Sequence, residues 1–297
     1  MPGDGTGSAV GIPGGMRLGV AEYGRPGGRP ILYFHGLSGS RLEASLADRA
    51  ADDLGVRLIA LDRPGMGLSD FRPDRKIPDI VSDTERLADA LGLGRFAVLG
   101  VSAGAPYALA CGIRLAGRVT CVGLVSSAGP FSEKRYRASM GWITKAALRA
   151  ALIAPGLAGR LLRGVMRGIL TEPERFQTRF AAHAGSPDRE ILLANRSVFS
   201  RNLRESFRKG EAGPLLDALL LARPWEIPLS DIARPVFLWH GEKDRIVPPE
   251  VGTRLSGEIP GCRSFFLPEE GHFSLPVRRI REILSILAGD PQEDAGG

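Results

Sequence analysis

Four short stretches carry side chains and amides that can do chemistry together: Gly100-Val101-Ser102-Ala103-Gly104, VFLWHGEKDRIVP at 236–248, EEGHFSL at 269–275 and His35-Gly36-Leu37-Ser38-Gly39. A serine hydroxyl is a poor nucleophile at neutral pH and needs an adjacent base, normally a histidine held by a carboxylate. The G-x-S-x-G pattern suits such a serine when it sits on a sharp turn from strand into helix. There the hydroxyl is exposed, and the helix N-terminus presents free N–H groups to developing negative charge. The flanks fit: apolar FAVLGV precedes Ser102 and the helix former APYALACGIRLA follows it. Small residues at 100 and 104 let neighbouring backbone pass close by.

The base must come from four histidines, His35, His183, His240 and His272. For a serine on this kind of turn the partners follow in the order acid, then histidine. His272 alone lies after the last expected strand, in a loop that Gly271 exposes. The acid should follow the preceding strand, where Glu242, Asp244 and Glu250 stand. Asp244, just past the strand end, is assigned the role of orienting His272, with Glu242 as runner-up. Glu269 and Glu270 are expected to shape or charge the rim. An oxyanion hole needs two converging donors, here the backbone N–H groups of Leu37 and Ala103. His35 is expected to be a structural hydrogen-bonder in its turn. The glycine-bearing run DRPGMGLSD at 62–70 lacks the full dinucleotide or Walker pattern and reads as a loop beside the entrance. No cofactor or metal is expected, since Cys111, Cys121 and Cys262 lie far apart with no metal-binding spacing and read as buried free thiols.

These loops need a scaffold. Apolar runs of strand length occur at 31–35, 56–61, 96–101, 119–126, 236–240 and 262–267, after shorter strands at 10–12 and in MRLGVAEYG. Helical periodicity fills 42–54, 77–91, 103–115, 249–256 and 275–287. The alternation implies an α/β fold: a mostly parallel central sheet flanked by helices on both faces, which is why its strands are continuously apolar. From about Gly129 to about Arg223 the rhythm stops. Helical segments at 136–153, 157–170, 173–184 and 187–209 follow one another, with Pro155, Pro173 and Pro187 marking boundaries. The expected organisation is a core from 1–129 and 225–297, interrupted by an all-helical cap at 130–224. Residues 1–9 are expected to be loose and the tail PQEDAGG disordered.

Composition narrows the class. Apolar residues make up 43% of the 297 and aromatics 6%, ordinary values for a soluble globular chain. The net charge of +6 comes with neither a nucleic-acid module nor basic residues interleaved with aromatics, so no nucleic-acid partner is expected. No run approaches a membrane span, and the start lacks a basic segment followed by a long apolar one. With an odd cysteine count, these features favour a reducing cytoplasm.

HGLSG at 35–39, DRPGMGLSD at 62–70, GVSAG at 100–104, GEKDRIVP at 241–248 and GHF at 271–273 give the chain its likeness. It resembles the α/β-hydrolase superfamily, in the serine-nucleophile branch with a helical cap, among epoxide hydrolases, haloalkane dehalogenases and small esterases. The resemblance implies Ser102 as nucleophile, Asp244 as acid, His272 as base, and Leu37 and Ala103 as oxyanion donors. Typical epoxide hydrolases and dehalogenases use an aspartate nucleophile, so serine at 102 disfavours both. The resemblance also makes the insertion the roof of the substrate pocket.

The activity expected is acyl transfer on the carboxylic ester of a small, fairly hydrophobic substrate, as in a carboxylesterase. A carbon–carbon bond hydrolase acting on a diketone-like substrate is the enzymatic alternative. A non-catalytic ligand-binding protein on the same fold is the other. Residues 131–209 hold 16 Arg or Lys against 6 Asp or Glu. Solvated faces of arginine-rich helices account for that more simply than an acidic partner or a lipid surface, so membrane-surface contact is not favoured. Phe131, Tyr136, Met140, Trp142, Phe176, Phe180 and Phe199 are candidates for the apolar pocket or the packing of the cap.

Overall fold

Eight strands form one sheet in the computed structural model, which describes residues 7–289; the PQEDAGG tail and residues 1–6 of the glycine-rich start lie outside the described residues. The first half of the chain runs β1 (Ser8–Gly11), β2 (Arg17–Gly24), β3 (Arg29–Phe34), α1 (Asp48–Asp53), β4 (Val56–Leu61), α2 (Ile80–Ala90), β5 (Phe96–Val101), α3 (Ala105–Arg114) and β6 (Val119–Val125). Seven helices come next: α4 (Lys134–Arg137), α5 (Trp142–Ile153), α6 (Pro155–Thr171), α7 (Pro173–His183), α8 (Ser186–Ala194), α9 (Arg196–Ser206) and α10 (Ala212–Ala222). The chain then returns through β7 (Val236–Gly241), α11 (Pro249–Glu258), β8 (Arg263–Leu267), α12 (Ser274–Arg278) and α13 (Ile280–Ala288).

The strand order is β1-β2-β4-β3-β5-β6-β7-β8. Strand β2 pairs antiparallel with both β1 and β4, and all other pairs are parallel. Every residue of β5 and β7 is buried. The reason is two-sided cover: α2, α3 and α11 pack one face while α1 and α13 pack the other. Parallel pairing brings the carboxyl ends of β3, β5, β7 and β8 to one edge of the sheet, where loops can carry a shared site.

Several element boundaries differ from the sequence expectation. Residues 8 and 9, expected to be loose, pair with Val20 and Gly19 of β2. The 42–54 helix opens as a 3-10 segment over Arg41–Ala47, started by the Ser40 hydroxyl accepting from the Leu42 amide. The 187–209 helix is two, because Asn195 leaves helical backbone values at φ −113° and ψ 27°, with its side chain donating to the Ile191 carbonyl. A break at Gly141 divides 136–153, and one at Arg279 separates α12 from α13. Helix α10 had no specific expectation. Its LLDALLLA run carries no helical alternation because α10 is buried on several sides. All three cysteines are free, with Cys111 and Cys121 buried and Cys262 only half-buried. No helix of the described residues is long and apolar enough to cross a membrane.

Candidate active site

Ser102 follows β5 and adopts a φ of 52°, left-handed backbone that a side chain rarely takes. The surroundings force that turn. A Cβ at Gly104 would overlap the Phe34 carbonyl, and one at Gly100 would lie 2.6 Å from the Gly104 carbonyl oxygen. The elbow thus packs directly on the end of β3. Strain of this kind persists only where neighbours over-determine it, and it marks functional turns.

His272, in the loop after β8, stands between two partners. Its Nε2 is 3.1 Å from the Ser102 Oγ and its Nδ1 is 2.7 Å from Asp244 Oδ2. Asp244 is buried past β7, and its other oxygen accepts from the amides of Ile246 and Val247 at 2.8 Å each. Burial by itself would lower the imidazole pKa. The Asp244 charge and hydrogen bond, helped by Asp188 and Glu43, raise it above the ordinary value. Burial would likewise raise the Asp244 carboxyl, but His272 and His240 hold it well below the usual carboxylate range. Glu242 and Glu250, the other acids of that segment, are exposed. Glu270 is buried rather than on the rim, facing Arg278 and Arg279 at 3.7 and 3.8 Å.

The other histidines lie outside this chain of bonds. His35 is buried, with Nδ1 2.8 Å from the Gly36 carbonyl and Nε2 accepting from the Arg63 amide. His240 donates to the Val247 carbonyl at 2.9 Å and lies 3.4 Å from Asp244. His183 is exposed on α7.

Leu37 and Ala103, the expected oxyanion donors, lie on two different loops near Ser102. Ala103 begins the turn into α3, and Leu37 lies in the loop after β3. A Cβ on Gly36 would stand 3.7 Å from the Ser102 Cβ, so this loop runs beside the hydroxyl. Glu43 fastens it, accepting from the Gly36 amide at 3.0 Å and the Tyr33 hydroxyl at 2.8 Å. Burial raises the Glu43 carboxyl above its ordinary pKa against the pull of these donors.

Besides Glu43 and Gln177, three polar residues around the site escaped the sequence reading. Asp188 of α8 accepts from the backbone amides of His272, Phe273 and Ser274. Asn202 of α9 holds Ser40 and Glu43. Asp217 of α10 binds Arg63, Arg75 and the Tyr107 hydroxyl in a fully buried cluster. Only the SPDRE start of α8 offered a local signal, and there an acid reads as serving its own helix. The 62–70 loop, expected beside the entrance, is a brace instead. Buried Arg63 donates to the His35 and Gly36 carbonyls, and none of the described residues 62–70 lines the cavity.

That cavity, of about 370 Å³, has Ser102 and His272 in its wall. Of the seven apolar candidates, Phe176, Phe180 and Phe199 line it. Phe131, Tyr136 and Met140 are buried in the core cluster and Trp142 is exposed. Leu162, Val165 and Ile169 of α6 and Phe273 of the His272 loop add to the apolar lining. Gln177 also faces it, with a buried Oε1 that has no hydrogen-bond partner.

A family model described as the alpha/beta hydrolase fold matches residues 29–278, and the chain belongs to that family. The pimeloyl-[acyl-carrier protein] methyl ester esterase of Nitrosomonas europaea is 26% identical over 254 residues, 82% of this chain and 89% of that protein. The proline iminopeptidase of Neisseria meningitidis serogroup A is 32% identical over 94 residues, 30% of this chain and 29% of that enzyme. Among solved structures, an esterase from Exiguobacterium antarcticum superposes with a TM-score of 0.70 at 19% identity, covering 95% of this chain and 98% of that one. A bromoperoxidase from Bacillus anthracis gives a TM-score of 0.70 at 18% identity, covering 94% and 98%. At these identities the structural likeness speaks for the fold alone.

Proposed function

We propose that the protein is a serine carboxylesterase acting on small, fairly hydrophobic esters, with Ser102 as nucleophile, His272 as base and Asp244 as acid. One observation carries the reading: the unbroken hydrogen-bond chain from Asp244 through His272 to a strained Ser102 at the wall of an apolar cavity. In the first step His272 Nε2 takes the hydroxyl proton as Ser102 Oγ attacks the ester carbonyl. Asp244 stabilises the imidazolium, and the amides of Leu37 and Ala103 hold the oxyanion. His272 then protonates the departing alcohol. In the second step it takes a proton from water, which attacks the acyl-enzyme and releases the acid. The division into residues 1–129 and 225–297 as catalytic core and 130–224 as cap belongs to the same proposal.

The mainly apolar lining supports an uncharged acyl or alcohol group, with Ser38, Glu43, Gln177 and Asn202 as its polar members beside Ser102 and His272. The N. europaea relative is a methyl ester esterase, which supports an ester over a ketone as substrate. Turnover needs neutral His272. With its pKa raised, kcat/KM falls on acidification through a limb lying above the ordinary histidine value of about 6.5.

The test is hydrolysis of p-nitrophenyl esters across an acyl chain-length series. Ser102→Ala is expected to lower kcat by at least about 10⁴-fold. Turnover surviving in that variant, or turnover of diketones but no ester, would overturn the reading.

A further inference from the structure

Two helices of the cap reach down to two different loops of the core. On α8, Asp188 is 2% exposed and accepts from the amides of His272 at 3.0 Å, Phe273 at 2.8 Å and Ser274 at 2.9 Å. On α9, buried Asn202 accepts from the Ser40 amide at 2.8 Å and its hydroxyl at 2.7 Å, and donates to Glu43 at 3.4 Å. Glu43 in turn accepts from the Gly36 amide, next to Leu37. We propose that Asp188 and Asn202 are positioning residues, the first for the loop of the base and the second for the loop of the oxyanion donor. The α8–α9 segment of the cap is then a working part of the catalytic machinery rather than a roof alone. The proposal rests on the triad and oxyanion reading given above.

The chemistry of each contact favours this role. Three consecutive amides converge on Asp188, and an ionised carboxylate, all acceptor, can take three such bonds. An asparagine there would turn an N–H toward one of the three amides. The loop has also given up a side chain to admit the carboxylate, since a Cβ on Gly271 would stand 2.5 Å from Asp188 Oδ1. His272 Nε2 must hold its 3.1 Å approach to Ser102 while Nδ1 keeps Asp244. A misplacement of about 1 Å at such a group costs on the order of 10²-fold in rate. The charged groups facing His272 are Asp244 after β7, Asp188 on α8 and Glu43 after β3, and all three raise its pKa.

The experiment measures kcat, KM and the pH profile of p-nitrophenyl butyrate hydrolysis, with thermal midpoints, for full-length Asp188→Asn, Asn202→Leu and Ser102→Ala. Each of the first two is expected to lower kcat by about 10- to 100-fold while KM stays within about threefold. Asp188→Asn also moves the acidic limb to lower pH, because a charge that raises the His272 pKa is gone. Asn202→Leu removes no charge of its own, so its limb is expected to move less than that of Asp188→Asn. A purely structural role would lower the midpoint and leave kcat alone. Wild-type kcat in both variants, with Ser102→Ala dead, overturns the positioning role by itself. Turnover that survives in Ser102→Ala overturns the triad reading instead. If Asp188→Asn does not fold, Asn202→Leu carries the test through the kcat and KM split.

Discussion

The cap has two tiers that are held in different ways. Helices α8, α9 and α10 sit on the core through charged contacts: buried Asp188 on the His272 loop, half-buried Glu205 on buried Arg41, and buried Asp217 on Arg63 and Arg75. Helices α5 and α6 pack against other cap helices, and the Arg163–Glu211 pair that ties α6 to the start of α10 lies at the surface. Some of their described apolar residues face outward, with Trp142 78% exposed, Ile153 82% and Leu161 64%. Yet α6 lends Leu162, Val165 and Ile169 to the cavity. Rigid attachment is thus concentrated on the loops proposed to carry the base and the oxyanion donor, while α6 of the lightly held tier shares the cavity wall with α7, α8 and α9.

The sharpest way to break this contrast is to cut one tie in each tier. Asp217→Ala leaves Arg63 and Arg75 buried without their carboxylate, and is expected to cost about 3–5 kcal/mol of unfolding free energy in denaturant titrations. Arg163→Ala, cutting the exposed pair, is expected to cost less than about 1 kcal/mol. Because the Asp217 carboxyl is held well below its ordinary pKa, its contribution is full above the unfolded carboxylate value of about 4. The gap between wild type and Asp217→Ala should narrow as pH falls below that point. Equal losses for the two variants would erase the distinction between tiers.

A smaller effect probes the division of labour. Leu162→Ala removes apolar wall from the lightly held tier, so KM for the longer acyl esters should rise about tenfold with kcat held. A fall in kcat without a change in KM would mean that α6 also positions catalytic groups. The smallest effect is expected at the outer surface, where Leu161→Ser should shift unfolding free energy by less than about 0.5 kcal/mol. A loss above about 2 kcal/mol would show that this face is packed against something when the protein is folded in solution.

What the sequence disclosed, and what it hid, follows the same division. The central strands were legible because two-sided burial demands unbroken apolar runs such as FAVLGV and VFLWHG between glycine or polar boundaries. Ser102, Asp244 and His272 stood out because each lies in a local pattern at a strand end, and the fold brings them within hydrogen-bond distance. Asp188, Asn202 and Asp217 were not legible. Their partners lie 84, 162 and 154 residues away, and nothing beside them marks that use. Asp188 even carries a misleading signal, since an acid after Ser-Pro reads as serving the start of its own helix, while its oxygens serve the start of α12. The break at Asn195 was hidden for a related reason, because one residue leaving helical backbone values keeps the apolar period intact on both sides.

The glycine left bare at 271 constrains how such proteins can be recombined. It is the imprint of a carboxylate that reaches in from a separate stretch of chain, so the receiving loop and the arriving helix have matched shapes. A roof taken wholesale from a relative brings its own residue to that place and meets a socket cut for Asp188. Shuffling that exchanges only the α5–α6 hairpin leaves lock and key together, and there the substrate range can drift while the active-site geometry is inherited intact.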